Sequence, residues 1–170
     1  MKKWIVGSMA AVMLFITGIA TEAHAQRQSI VDVAIAANEA TGEFSTLIAA
    51  VVAADLVDTL RGFRRYTVFA PTDAAFAKLG LNAGNVVLAP KKELLNILLY
   101  HVTNGKRFSG SVLNARFLRM ANGEFTRGSV SDAGAFINQS KLLAPELIDI
   151  EASNGVIHVI DTVLTPAFLR

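Results

Sequence analysis

The stretch of sequence that decides the fold covers residues 66–76 and reads YTVFAPTDAAF. Its first five residues, 66–70, are mostly aromatic or β-branched, which predicts a buried strand. Pro71 is expected to end this strand, and Thr72 is expected to cap a short helix that carries Phe76 on its apolar face. A buried strand that leads directly into a capped helix indicates a domain with both kinds of element.

Helical segments are predicted on the N-terminal side of this strand. Ser29 is expected to cap a helix over residues 30–37, with the Asp32 carboxylate complementing the helix dipole. Apolar residues recur at helical spacing after Thr41-Gly42, so a second helix is predicted to start near Glu43. Residues 56–60 continue the apolar pattern as a short helical turn.

A further helix is predicted after the strand, with Pro90 at its first position. This helix is apolar over most of its circumference, so we expect it to lie inside the domain. Its end is predicted at residues 103–105, which read TNG. His101 would then lie near the C-terminus of the helix, on a buried face.

Beyond Gly105 the pattern changes to short strands separated by turns. Asn122-Gly123 is a strong hairpin signal, and two further turns follow it. Helices and one strand therefore come first and a β-rich half comes second, which predicts an α+β fold with segregated helices. The expected strand pairs are residues 116–120 with 124–127, residues 135–138 with 141–143, and residues 147–151 with 156–164.

The first 25 of the 170 residues resemble a secretory signal peptide. Lys2 and Lys3 precede an apolar run over residues 4–20, and Ala23 and Ala25 form a cleavage pattern. We predict cleavage after Ala25, which makes residues 26–170 one domain. The alternative is an uncleaved anchor, although a run of 17 residues is at the lower limit for a bilayer span.

Composition excludes several classes of function. The chain has no cysteine, so it forms no disulfide, thiolate metal site or iron–sulfur cluster. Removal of residues 1–25 takes away two lysines and one glutamate, which lowers the formal charge from +2 to +1. No run of Lys or Arg exceeds two residues, and no phosphate loop, metal-binding motif or nucleophile elbow is present. We therefore predict no cofactor, no metal and no nucleic-acid partner.

Three blocks of sequence together resemble a single fasciclin domain. They are residues 66–76, residues 98–102 (LLYHV) and residues 154–164 (NGVIHVIDTVL), and the resemblance covers residues 30–166. It implies a wedge of two β-sheets with helices packed around it, in a family of secreted or surface proteins tied to adhesion and usually without catalysis. The motif residues, which we expect to be structural, are Thr67, Val68, Phe69, Ala70, Pro71, Thr72, Asp73, Phe76, Tyr100, His101, Asn154, Gly155, His158 and Asp161.

The motif residues also allow functional alternatives. His101 could be a ligand or a catalytic base, but a histidine on an apolar helix face is more often a hydrogen-bonded core residue. His158 allows the same two readings. Both histidines could also form a metal site with Asp73 or Asp161, but the two histidines are far apart in sequence and lack the close spacing that is typical of metal ligands. A catalytic serine triad that uses His101 is a further alternative, but the sequence has no nucleophile-elbow motif to support it. The candidate serines are Ser45, Ser109, Ser111, Ser129 and Ser131.

Two functions remain open from the sequence. The favoured one is an exported, non-enzymatic module for cell-surface or matrix adhesion, with a protein or polysaccharide partner that the sequence does not name. After signal cleavage it would be periplasmic or extracellular and would not span the membrane. The alternative is a periplasmic carrier of a small apolar or lipid-like ligand.

A basic surface is a separate possibility. It would consist of Arg61, Arg64, Arg65 and Arg107, although these residues could equally be ordinary solubilising charge.

Overall fold

The structure is a computed structural model that describes residues 28–143 and 147–166. The proposed signal peptide lies outside the described residues. The helices are α1 (Ile30–Thr41), α2 (Ser45–Ala53), α3 (Val57–Arg61), α4 (Asp73–Ala77), α5 (Lys91–Tyr100) and α6 (Ser109–Asn114). The strands are β1 (Tyr66–Pro71), β2 (Val102–Asn104), β3 (Leu118–Arg119), β4 (Phe125–Thr126), β5 (Gly128–Ser131), β6 (Gly134–Ile137), β7 (Ser140–Lys141), β8 (Ile150–Ala152) and β9 (Gly155–Ile160).

The strands of the described residues form one four-stranded sheet and two smaller ones. The large sheet has the order β2-β1-β9-β8, and the small sheets are β3-β4 and β5-β6-β7. Single bridges, Thr103 with Met120 and Leu142 with Ile160, connect the small sheets to the large one. The α+β class is confirmed. Instead of the two sheets that we expected, the described residues form one large sheet and two small ones.

The two central strands, β1 and β9, are buried along their whole length because both faces of the large sheet are covered. They run parallel, so their side chains alternate in step between the two faces. Val68 and Ala70 face a core shared with α1, α2, α4 and α5. Phe69 faces a second core, which is shared with α6 and the small sheets. The sheet therefore separates a helical layer from a β-rich layer.

The predicted cap at Ser29 and the three hairpins are confirmed, whereas α2 begins at Ser45 rather than near Glu43, and Pro90 is the N-cap residue of α5 rather than its first residue. Ser29 and Asp32 form a capping box at the start of α1, which continues past the predicted end to Thr41. Gly42 then ends the helix with φ of 72°. The turn at Asn122-Gly123 joins β3 to β4, and the other two predicted turns join β6 to β7 and β8 to β9.

Some predicted boundaries are wrong. The helix that begins after Pro90 ends at Tyr100, because Val102–Asn104 instead pairs with β1 as an antiparallel strand. β1 runs one residue further than predicted and includes Pro71. β9 ends at Ile160, four residues before the predicted end. Helix α6 and strand β5 were not predicted at all.

Candidate functional site

Thr67 fixes the loop that follows β2 against the central strand. Its side chain is fully buried. The hydroxyl donates to the Gly105 carbonyl at 2.7 Å and accepts from the Arg107 amide at 2.9 Å. Both hydrogen-bonding roles of this hydroxyl are therefore used inside the protein.

The first and third sequence blocks meet where β1 pairs with β9. Phe69 lies opposite His158 in the parallel register. The two rings stack with centroids 5.6 Å apart and an interplanar angle of 28°. The Phe69 amide also donates to the His101 carbonyl at 2.8 Å, so the second block joins the same region. The structure thus brings the three blocks together in the interior.

His158 has both ring nitrogens occupied. Nδ1 accepts from the Asp149 amide at 3.2 Å, and Nε2 donates to the Arg107 carbonyl at 3.0 Å. These partners assign the neutral tautomer with its proton on Nε2. Burial lowers the pKa of His158, and the Arg107 carbonyl and the Asp149 carboxylate oppose that shift. No ring nitrogen is left to bind a metal or accept a proton in this arrangement.

His101 is bonded in the same manner at the end of α5. Nδ1 donates to the Ile97 carbonyl at 2.8 Å, and Nε2 accepts from the Leu164 amide at 2.8 Å. Burial lowers the pKa of His101 to about 4, against the opposing effect of the Ile97 carbonyl. The neutral ring therefore fastens the segment after β9 to helix α5.

A serine, an aspartate and a histidine lie close together, but not as a catalytic triad. The Ser109 hydroxyl donates to Asp149 Oδ2 at 2.6 Å, and the Ser109 amide donates to Oδ1 at 2.6 Å. His158 Nδ1 lies 3.7 Å from the same carboxylate. The carboxylate thus stands between the serine and the histidine, whereas a triad needs the histidine on the serine hydroxyl.

Two aspartates cap helices that are distant from them in sequence. Helix α2 follows Phe44 and helix α6 follows Phe108, and neither phenylalanine has a side chain that can cap. Asp73 Oδ1 accepts from the Thr46 amide in α2 at 2.8 Å. Asp149 does the same for α6 through Ser109. Each carboxylate replaces a local cap and complements the positive end of the helix dipole.

Thr72 caps its own helix, as the sequence predicts. Its hydroxyl accepts from the Ala75 amide at 3.3 Å. Asp73 occupies the first turn of α4, and its additional contact with α2 was missed because the partner lies 27 residues earlier. Phe76 packs into the core on the helical side of the sheet.

Asn154 and Gly155 join three elements at one end of the large sheet. The Asn154 side chain accepts from the Ile30 amide at 2.8 Å and donates to the carbonyls of Leu60 (2.6 Å) and Gly62 (3.0 Å). A Cβ on residue 155 would overlap the Tyr66 carbonyl oxygen, so only glycine fits there. This turn therefore positions α1, the end of α3 and β1.

Tyr100 and Asp161 each tie the small sheets to the rest of the domain. The Tyr100 hydroxyl donates to the Phe125 carbonyl and accepts from the Asn138 side chain, both at 3.1 Å. Asp161 Oδ1 accepts from the amide of Lys141 and the hydroxyl of Thr162, both at 2.9 Å. Both side chains thus have partners within the fold.

An apolar cavity of about 240 Å³ lies between α1, α2, α3 and β1. Aliphatic side chains from all four elements line it, among them Ile35, Val51 and Val68. Arg61 is the only charged lining residue, and its guanidinium is held by Asp32 at 2.9 Å. The cavity contains none of the motif histidines and is suited to an apolar occupant rather than to polar chemistry.

The fasciclin domain family matches residues 42–166. The chain belongs to the fasciclin family. Protein sll1483 of Synechocystis is 44% identical over 140 residues, which cover 81% of this chain and 73% of that protein. Transforming growth factor-beta-induced protein ig-h3 of Sus scrofa is 41% identical over 123 residues, which cover 72% of this chain but only 18% of that protein.

Two further matches have lower sequence identity. Cell surface glycolipoprotein MPB83 of Mycobacterium bovis is 35% identical over 112 residues, which cover 66% of this chain and 48% of that protein. The structure of a FAS1 domain pair from the insect cell adhesion molecule Fasciclin I superposes with a TM-score of 0.66 at 18% identity. That match covers 82% of this chain and 51% of the solved one. The mixed α+β fasciclin fold is therefore confirmed.

Most motif residues of this fasciclin domain lie in the core or in internal hydrogen-bond networks, although Val68 lines the apolar cavity and Asn154 lines a second pocket. Within residues 28–143 and 147–166, no group of three or more His, Asp or Glu side chains could hold a metal ion. The helices in the same part of the chain include none that is long and apolar enough to span a bilayer. That the fourteen motif residues act only structurally stays a prediction.

Proposed function

We propose that this fasciclin domain is an exported, non-enzymatic module that acts in cell-surface or matrix adhesion. The observation that supports this most is the internal use of the motif side chains, above all of the four ring nitrogens of His101 and His158. Groups that bind the protein to itself are not available to a substrate. A partner would therefore be bound by exposed residues outside these networks.

The relatives agree with an extracellular role. One is described as a cell surface glycolipoprotein, and the solved domain pair comes from a cell adhesion molecule. A specific protein interface needs about 800 Å² per partner, which a domain of this size can supply. Relatives of much greater length can gain further strength when several binding units act together. For this chain the partner is an unidentified protein or polysaccharide.

Export depends on residues 1–25, which we propose are a cleaved signal peptide in front of a domain at 26–170. Mass spectrometry of the protein recovered outside the cytoplasm should give a chain that starts at Gln26. A recovered chain that still begins at Met1 or Lys2 would show instead that the segment is retained as an anchor.

Deletion of the gene in its host tests the adhesion role. The deletion strain should lose surface attachment and biofilm mass, and a plasmid copy should restore both. A separate assay with the purified protein checks for catalysis. We expect no turnover of ester or glycoside substrates that is lost in a His101→Gln variant. Unchanged attachment after deletion, or turnover that depends on His101, would contradict the proposal.

The apolar cavity favours a second candidate, a carrier of a small apolar or lipid-like ligand. Its volume of about 240 Å³ is just below the range of drug-sized pockets, which fits a slender acyl or isoprenoid group. Native mass spectrometry of protein from its own host should then show a bound mass. An Ala34→Phe variant fills the cavity and should lose that mass, whereas Ala36→Phe on the exposed face of the same helix should keep it.

A further inference from the structure

Arginines lie beside two exposed phenylalanines on the β3–β4 hairpin and around the cleft next to it. Arg119 and Phe125 lie directly opposite each other in the antiparallel register. Their neighbours along the strands, Leu118 and Thr126, are buried, so Arg119 and Phe125 point to solvent together. We call the surface formed by Arg107, Arg116, Phe117, Arg119 and Phe125 the aromatic–basic strip.

The two phenylalanines of the strip form an exposed pair. Phe117 is 62% exposed and Phe125 is 59% exposed. Their rings meet edge to face with centroids 6.4 Å apart, and the Arg116 guanidinium lies 5.8 Å from the Phe117 ring centroid. The rings therefore hold each other in place while most of their surface stays in contact with water, which is typical of a binding surface.

The cleft beside the hairpin has a volume of about 470 Å³ and carries positive charge. Arg107 and Arg119 line it together with the exposed Asn104, and no acidic residue does. The Arg107 Nε donates to the Asn104 carbonyl at 3.4 Å, and among the described residues no partner accepts a hydrogen bond from its terminal guanidinium nitrogens. The cleft thus offers charged donors and a side-chain amide together.

The arginines of the strip have no carboxylate partner among the described residues, unlike Arg61 and Lys106. Within the described parts of the chain, no carboxylate lies at ion-pairing distance from Arg107, Arg116 or Arg119. By contrast, Asp32 neutralises Arg61 and Glu151 neutralises Lys106. Glu124 at the turn of the hairpin is engaged by the Asn122 side chain. The strip is therefore a local positive surface on a chain of almost neutral total charge.

Building on the proposed extracellular role, we propose that the aromatic–basic strip binds an acidic polysaccharide that carries uronate carboxylates. Guanidinium groups donate two parallel hydrogen bonds to a carboxylate. Aromatic rings pack against the C–H faces of pyranose rings, and the Asn104 amide can bond to sugar hydroxyls. A polymer that carries a pyranose ring and a carboxylate at each sugar offers a partner to both the rings and the guanidiniums of the strip.

The arrangement favours this partner over an anionic membrane. Here an arginine lies next to each ring, Arg116 at Phe117 and Arg119 opposite Phe125, and a polar cleft continues the strip. Binding along an extended chain uses all of these groups, whereas insertion would bury guanidiniums in the acyl region.

Calorimetric titration of the mature chain with polygalacturonate oligosaccharides tests the proposal, with neutral dextran as the uncharged comparison. The double variant Arg107→Gln/Arg119→Gln should bind the oligosaccharide at least about tenfold more weakly, because two charge-assisted contacts are lost. Phe125→Ser should weaken binding by about threefold or more. Since these side chains are exposed, thermal unfolding followed by circular dichroism should be unchanged.

Matched controls come from another part of the surface. Arg64→Gln/Arg65→Gln removes the same two charges as the double strip variant, and Phe63→Ser removes a fully exposed ring. Both should bind within about twofold of the wild type. An equal loss in these controls, no binding of polygalacturonate, or binding of phosphatidylglycerol vesicles or oligothymidylate that the strip variants weaken to the same extent would overturn the proposal.

The same variants separate this proposal from the adhesion proposal. If the chain does not bind polygalacturonate but the deletion strain still loses attachment, the strip assignment is wrong and the adhesion role stands. If the strip binds polygalacturonate and deletion leaves attachment unchanged, the strip assignment stands and the adhesion role is wrong.

Discussion

Lowering the pH from about 7.5 to about 4.5 is expected to destabilise the domain through His101. In the folded chain the ring is buried and neutral, and Nε2 accepts the Leu164 amide. Protonation would remove that acceptor and place a charge in the core. The unfolded chain carries no such restriction, so it takes up the proton at a higher pH than the folded chain does.

The size of the effect follows from the pKa of the two states. The pKa of His101 is about 4 in the folded chain, against an ordinary value of 6.5. At pH values between these two, the unfolded state binds about one proton more than the folded state, so the free energy of unfolding falls as the pH falls. The full difference corresponds to about 3 kcal/mol, of which most should be lost by pH 4.5.

His158 should add to this loss, since burial lowers its pKa in the same direction. Asp32 behaves differently because the Ser29 hydroxyl and amide lower the pKa of its carboxyl below 3.8. Its stabilisation is present above that value and is lost only as the pH falls further. If the titration ends at about pH 4.5, the measured loss of stability therefore reports on the histidines and not on the Asp32 carboxylate.

Urea unfolding of residues 26–170, followed by circular dichroism from pH 7.5 to 4.5, measures the loss. A His101→Gln variant should be less stable at pH 7.5. Its free energy of unfolding should depend less steeply on pH, by an amount equivalent to up to one proton taken up on unfolding. Should the variant fail to fold, NMR titration of the wild-type imidazole gives the pKa directly. A stability independent of pH over this range, or a His101 pKa near 6.5, would refute the reasoning.

Three substitutions test the remaining internal contacts by urea unfolding at neutral pH. Asp73→Ala removes the distant cap of α2 and should cost about 1 kcal/mol, while Glu39→Ala, exposed near the C-terminal end of α1, should cost almost nothing; equal costs would contradict the capping role. Asn154→Ala leaves the buried Ile30 amide without its acceptor and should cost about 2 kcal/mol. Gly155→Ala should cost more than about 2 kcal/mol, and a smaller cost would show that β1 and β9 can separate easily.

Local signals explain what the sequence predicted well. The capping box at Ser29 and Asp32 lies within four residues, and the hairpin at Asn122-Gly123 depends on its two turn residues. The aromatic and β-branched residues of β1 indicated a buried strand. In each case the residues that decide the structure are neighbours in sequence.

Long-range contacts explain what the sequence missed. Val102–Asn104 continues an apolar helix pattern, but its pairing with β1, more than thirty residues earlier, makes it a strand. Helix α6 has no apolar periodicity and is capped by Asp149, which lies 40 residues after Ser109. The apolar helix face correctly indicated a buried His101, whereas its partner at Leu164 is 63 residues away. Such partners are fixed by the tertiary fold and leave no mark on the local pattern.

Attachment of the deletion strain, complemented with two forms of the gene, tests the central claim most directly. One form encodes the full chain and the other encodes residues 26–170 without the proposed signal. The account predicts that the full chain restores attachment and that the form without the signal does not, although both are produced in equal amounts. Equal restoration by both forms, or normal attachment of the uncomplemented strain, would contradict an exported adhesion module.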